Sequence, residues 1–98
     1  MTMRDLFKKV EGYNEMAALM NADKAAISFA QIDNGFSFGS NRYNNYAEFR
    51  KWVKRDYLPE VAQKILNAKD CEFDSGFEFE WRGGVAKFTV ALVQEWRF

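Results

Sequence analysis

Asn34-Gly35 lies between Ile27-Ser28-Phe29 and Phe36-Ser37-Phe38, and Gly83-Gly84 lies between Phe77-Glu78-Phe79-Glu80-Trp81 and Lys87-Phe88-Thr89-Val90. A two-residue hairpin loop needs positive φ at one or both central positions, which Asn-Gly and Gly-Gly supply at low steric cost. Each dipeptide therefore predicts a hairpin and sets its register. The first loop pairs Asp33 with Phe36, Gln31 with Phe38 and Ile27 with Arg42, and places Ile27, Phe29, Phe36 and Phe38 on one face. The second pairs Phe79 with Phe88, Phe77 with Val90 and Trp81 with Ala86. On the reverse face it sets Glu80 against Lys87 and Glu78 against Thr89. Ser75-Gly76 is the expected place for a bulge.

A helical period precedes each hairpin. From Met3 to Asn21 the apolar residues Met3, Leu6, Phe7, Val10, Tyr13, Ala17 and Met20 form one stripe, with Thr2 as N-cap and Asp5 at the capping-box position. Gly12 inside this stretch is a place for a kink. After the first hairpin, Asn44 or Asn45 can cap a helix over 46–57. Pro59 then removes a backbone donor, and the apolar set rotates, so a kink or a second short helix over 59–68 is expected. The order helix–hairpin–helix–hairpin predicts an α+β fold of two αββ units. Its sheet is four-stranded and mainly antiparallel, with helices packed on one face. Val90-Ala91-Leu92-Val93 is apolar on both faces, as in a central strand. The pattern leaves the strand order between the hairpins open.

Ninety-eight residues make a single domain, 1–98, and ten phenylalanines supply its core. One cysteine, Cys71, allows no internal disulfide. With no histidine in the chain, imidazole-based catalysis and the usual zinc sites are excluded. Cys71, at the start of a strand, has no histidine to activate it and reads as a small apolar residue. The N-terminal residues lack the apolar run of a signal peptide, and no stretch is long enough to span a bilayer. A cytoplasmic protein with no cofactor, no metal and no membrane association is expected. Asp33-Asn34-Gly35 lacks the later ligands of a calcium loop, and Gly83-Gly84 lacks the lysine and helix of a phosphate loop.

Formal net charge is zero, but the charges are unevenly placed. Between Asn41 and Tyr57 there are five basic residues, Arg42, Arg50, Lys51, Lys54 and Arg55, against Glu48 and Asp56. Arg50, Lys51, Lys54 and Arg55 are spaced to cluster on one helix flank near Trp52. Such a flank can hold phosphates, meet an acidic protein, or serve as a solvated surface. Asp74, Glu78 and Glu80, with Glu72 if the register holds, share a strand face. Such carboxylates can bind a hard cation, act as an acid–base pair, or serve as an exposed polar face that keeps the sheet soluble and discourages mispairing. Trp96 and Phe98 continue the core phase past the hairpin, as a core cap or as an interface.

No catalytic constellation emerges. The expected function is a small non-enzymatic protein-interaction module of prokaryotic or phage type, binding a protein partner or forming a homodimer through Trp96 and Phe98. A deep pocket with convergent polar groups would argue against it. The alternative is a nucleic-acid-binding protein using Arg42, Arg50, Lys51, Trp52, Lys54 and Arg55.

Overall fold

Helix α1, Met3–Met20, opens a computed structural model that describes residues 1–21, 24–33, 36–69, 73, 76–81 and 83–93, with residues 30–33, 36–40 and 81 described by their backbone. Thr2 caps α1 by a reciprocal pair of hydrogen bonds. The Thr2 N–H donates to Asp5 Oδ2 at 3.1 Å, and the Asp5 N–H donates to Thr2 Oγ1 at 3.2 Å. The helix runs unbroken through Gly12 and ends at Asn21, whose φ of 53° closes it in the left-handed region. Met3, Leu6, Phe7, Val10 and Ala17 are buried as the stripe predicts, but Met20 is 50 % exposed.

Strands β1 (Ala26–Asp33) and β2 (Phe36–Tyr43) form the first hairpin, and β3 (Phe77–Trp81) and β4 (Gly84–Val93) the second. Helices α2 (Tyr46–Asp56) and α3 (Pro59–Leu66) lie between them, separated at Leu58-Pro59. The four strands are antiparallel in the order β2-β1-β4-β3. Each αββ unit thus contributes its second strand, then its first, along the sheet. β4 is an inner strand of this order; its doubly apolar stretch Val90–Val93 pairs with β1, while the β3 ladder ends at Phe88.

Both hairpin registers depart from the sequence expectation. Asp33 opposes Phe36 as expected. A bulge between Ala30 and Ile32 then shifts the pairing, so Ile27 opposes Tyr43 and Ser28 opposes Arg42. A single extra residue moves every later side chain to the other face. Continued without it, the register would set Arg42 opposite Ile27 on the core face and turn Tyr43 outward. With the bulge, Tyr43 is buried and its ring stacks on Phe29 at 5.7 Å. In the second hairpin the closing pair is Trp81–Gly84, so Phe77 opposes Phe88, Phe79 opposes Ala86 and Glu78 opposes Lys87. Only Gly83 of the two glycines takes positive φ (76°), which leaves Gly84 to begin β4. This slip moves the partner by two positions. The aromatic and charged faces therefore survive, while Glu80 now opposes Val85 instead of Lys87.

The bulge expected at Ser75-Gly76 is not part of the β3–β4 ladder, which begins at Phe77, and Ser75 lies outside the described residues. Beyond Phe77–Phe88 the pairing lapses, and the Val90 N–H donates instead to the Phe73 carbonyl at 3.1 Å. Gly76 has a φ of 74° and sits against the Phe88 carbonyl.

The helices cover one face of the sheet through a chain of rings. Phe7 packs against Phe49 at 5.0 Å, Phe49 against Phe88 at 6.5 Å, and Phe88 against Phe29 at 4.8 Å. Tyr57 meets Phe79 edge-on at 6.0 Å, which ties the α2–α3 junction to β3. Ala62 and Ile65 of α3 complete the layer. No helix among the described residues is long and apolar enough to cross a membrane.

Candidate functional site

Asn45 starts α2 by accepting the Glu48 N–H at 2.8 Å, and Phe49 and Val53 fix which side of the helix faces the core. Glu48, Trp52, Arg55 and Asp56, spaced i, i+4, i+7 and i+8, then share one flank. That flank stands over the end of edge strand β2. Together with Asn41, Arg42 and Tyr43 it encloses a half-open hollow of about 260 Å³.

The side chains in the hollow are tied to one another. The Arg55 guanidinium lies 3.6 Å from the centroid of the Trp52 ring, and its Nε donates to Asp56 Oδ1 at 2.9 Å. A cation over an indole face is the strongest of the side-chain cation–π pairings. Burial and the nearby carboxylates of Asp56 and Glu48 push the Tyr43 phenol up to about 12. At neutral pH Tyr43 is therefore uncharged, and the Asn41 side chain beside it opposes the rise only slightly. Two arginines face two carboxylates, so the hollow is polar, aromatic and charge-balanced.

Of the residues singled out in the sequence, Arg42, Trp52 and Arg55 come together here. Lys54 does not join them. It lines a second hollow of about 270 Å³ with Pro59, Ala62, Gln63 and Leu66, between α2 and α3. Arg50 and Lys51 are exposed on the outer side of α2. The single basic flank is thus split. With Phe49 and Val53 inward, positions 50, 51, 54 and 55 straddle the whole solvent side at about 100° per residue. Trp96, Phe98, Cys71, Glu72 and Asp74 lie outside the described residues.

Sequence reasoning missed Asn41, Tyr43, Glu48 and Asp56 as members of one site. The 48-52-56 spacing was a usable signal for the helix half. The strand half was hidden by the bulge, which reassigns the faces of Asn41 to Tyr43.

Glu78 and Glu80 are exposed on β3, an edge strand. Its neighbour Lys64 donates from α3 to the Glu78 carbonyl at 3.1 Å, with the ammonium 5.4 Å from the Phe77 ring. Among the described residues, no group of three His, Cys, Asp or Glu side chains could hold a metal ion.

No protein-family model, curated protein or solved structure matches this chain.

Proposed function

We propose that this chain is a small non-enzymatic protein-interaction module that takes an extended segment of a partner along the outer edge of β2 and seats one of its side chains in the hollow. The observation that carries this reading is the convergence of Arg42, Tyr43, Trp52 and Arg55 at the end of an edge strand. An edge strand offers unpaired main-chain donors and acceptors to an added strand, and an adjacent pocket supplies side-chain selectivity. Tryptophan, tyrosine and arginine are the residues that most often dominate binding energy. The opposite edge is less suited, since the Lys64 ammonium is bound to a main-chain carbonyl of β3.

The charge balance separates protein from nucleic acid. Glu48 and Asp56 in the hollow oppose a phosphate but match the mixed dipoles of a polypeptide. Peptides selected from a displayed random library are expected to shift the amide resonances of Asn41, Arg42 and Tyr43 and the Trp52 indole. Trp52→Ala is expected to weaken them by at least about tenfold, and Lys51→Ala by little. Selected peptides that bind Trp52→Ala as tightly as the parent chain would refute the site.

The exposed Arg50, Lys51 and Lys54 support a second reading, in which the outer side of α2 meets a phosphate backbone. Binding of DNA or RNA would then weaken steeply with salt and with Lys51→Ala. Unshifted nucleic acid in a low-salt gel assay would end that reading.

A further inference from the structure

Helix α1 is amphipathic only in part. Its outer face carries Met16, Leu19 and Met20, which are 53 %, 84 % and 50 % exposed. They are three of the six large apolar side chains that are exposed among the described residues. Gly12, one turn before Met16, is also exposed, and a Cβ built on it would meet nothing within 4 Å. At about 100° per residue, Gly12, Met16 and Met20 form one i, i+4 row with Leu19 beside it, turned away from Met3, Phe7 and Val10. An apolar cluster on one helix turn is a contact surface more often than a solvent surface.

We infer that the outer face of α1 is a self-association surface on which a second copy of this chain packs antiparallel. The row itself selects this occupant. Read backwards, Met20-Met16-Gly12 complements Gly12-Met16-Met20. About a twofold axis at Met16, the long Met20 side chain of each copy covers the bare backbone at Gly12 of the other. Packing of i, i+4 rows into one another is the commonest mode of helix contact, and a small residue lets the axes approach. The charges agree. The same pairing brings the exposed Lys9 of each copy to the C-terminal end of the other's α1, whose last turn contains no basic residue. The two sulfur side chains are flexible and polarizable and adapt to such a contact.

The face from Gly12 to Asn21 is only about 15 Å long. It buries far less than the roughly 1,600 Å² of a standard stable interface, so the dimer is weak. A dissociation constant of about 10–500 µM is expected.

Sedimentation velocity between about 5 µM and 1 mM, the span over which such a dimer forms, tests this on the full chain. The parent protein is expected to shift from monomer to dimer. Met16→Glu and Leu19→Glu each weaken association at least about tenfold. Gly12→Leu weakens it as much, although in the single copy its side chain enters open space and favours the helix. Val85→Glu, which removes another exposed apolar side chain on β4, leaves it unchanged. Circular dichroism of each variant verifies folding. A monomer throughout the range, or a dimer insensitive to Met16→Glu or to Gly12→Leu, would overturn the proposal.

Discussion

A Cβ added to Gly76 would lie 2.5 Å from the Phe88 carbonyl oxygen and 2.7 Å from Thr89 Oγ1. Its φ of 74° is also one that side chains with a Cβ rarely adopt. Gly76→Ala is therefore expected to cost roughly 1–3 kcal/mol, a fall of about 4–8 °C in Tm per kcal/mol for a chain of this size. Differential scanning calorimetry measures it, and an unchanged Tm would remove the packing argument. Gly12 is the opposite case, a helical glycine with open space, where Gly12→Ala is expected to stabilise by about 0.5–1 kcal/mol. The sequence marks both as glycines in suspect places. Only the neighbouring strand distinguishes them, because the atoms that exclude a side chain at Gly76 belong to β4.

The helices were the most legible elements, because what starts and stops them is local. Thr2 and Asp5 start α1, Asn45 starts α2, and Pro59 sits at the first turn of α3. Asn45→Ala removes the acceptor for the Glu48 N–H and is expected to cost about 1 kcal/mol in urea denaturation, while Asn45→Asp retains most of it. Equal losses for both would show that the cap bond contributes nothing. The strands were less legible. Alternation in sequence implies one register from turn to terminus, and a bulge breaks that implication; Gly39, opposite Gln31 at the bulge, is its one local signal in β2. The bulge between Ala30 and Ile32 moves Tyr43 inward and Arg42 outward. The half of the candidate site carried by β2 could therefore not be assembled from spacing. The slip of the second hairpin cost little, because an even shift leaves each side chain on its face.

Burial ties the ionisation of two tyrosines to the stability of the whole molecule. The phenol of Tyr43 is pushed up to about 12, and burial together with Tyr43 and Asp56 raises that of Tyr57 well above its ordinary value. In the unfolded chain both ionise near pH 10. Below that pH the two states hold these protons equally, and the contribution to stability is complete. As pH rises from about 10 through 12, the unfolded state loses its protons first, and stability falls. Tyrosinate absorbance should rise with unfolding, and the double variant Tyr43→Phe, Tyr57→Phe should lose less stability over this interval than the parent. An equal loss in both would place the alkaline transition elsewhere.

Helix limits, the existence of two hairpins, the aromatic face of the second and the α+β class follow from the sequence, because each depends on residues within one or two turns of chain. The side chains of Phe36 and Phe38, expected on the aromatic face of the first hairpin, lie outside the described residues. The order β2-β1-β4-β3, the bulge, the burial of Tyr43 and the exposure of Met20 depend on contacts between segments far apart in the chain. So do the two sites proposed here. The hollow exists because the end of β2 and one flank of α2 meet. The α1 surface exists because the last turns of the helix bury Ala17 and leave Met16, Leu19 and Met20 outward. A local pattern specifies what a residue can bury, but which residues find something to be buried against is decided only when the chain packs.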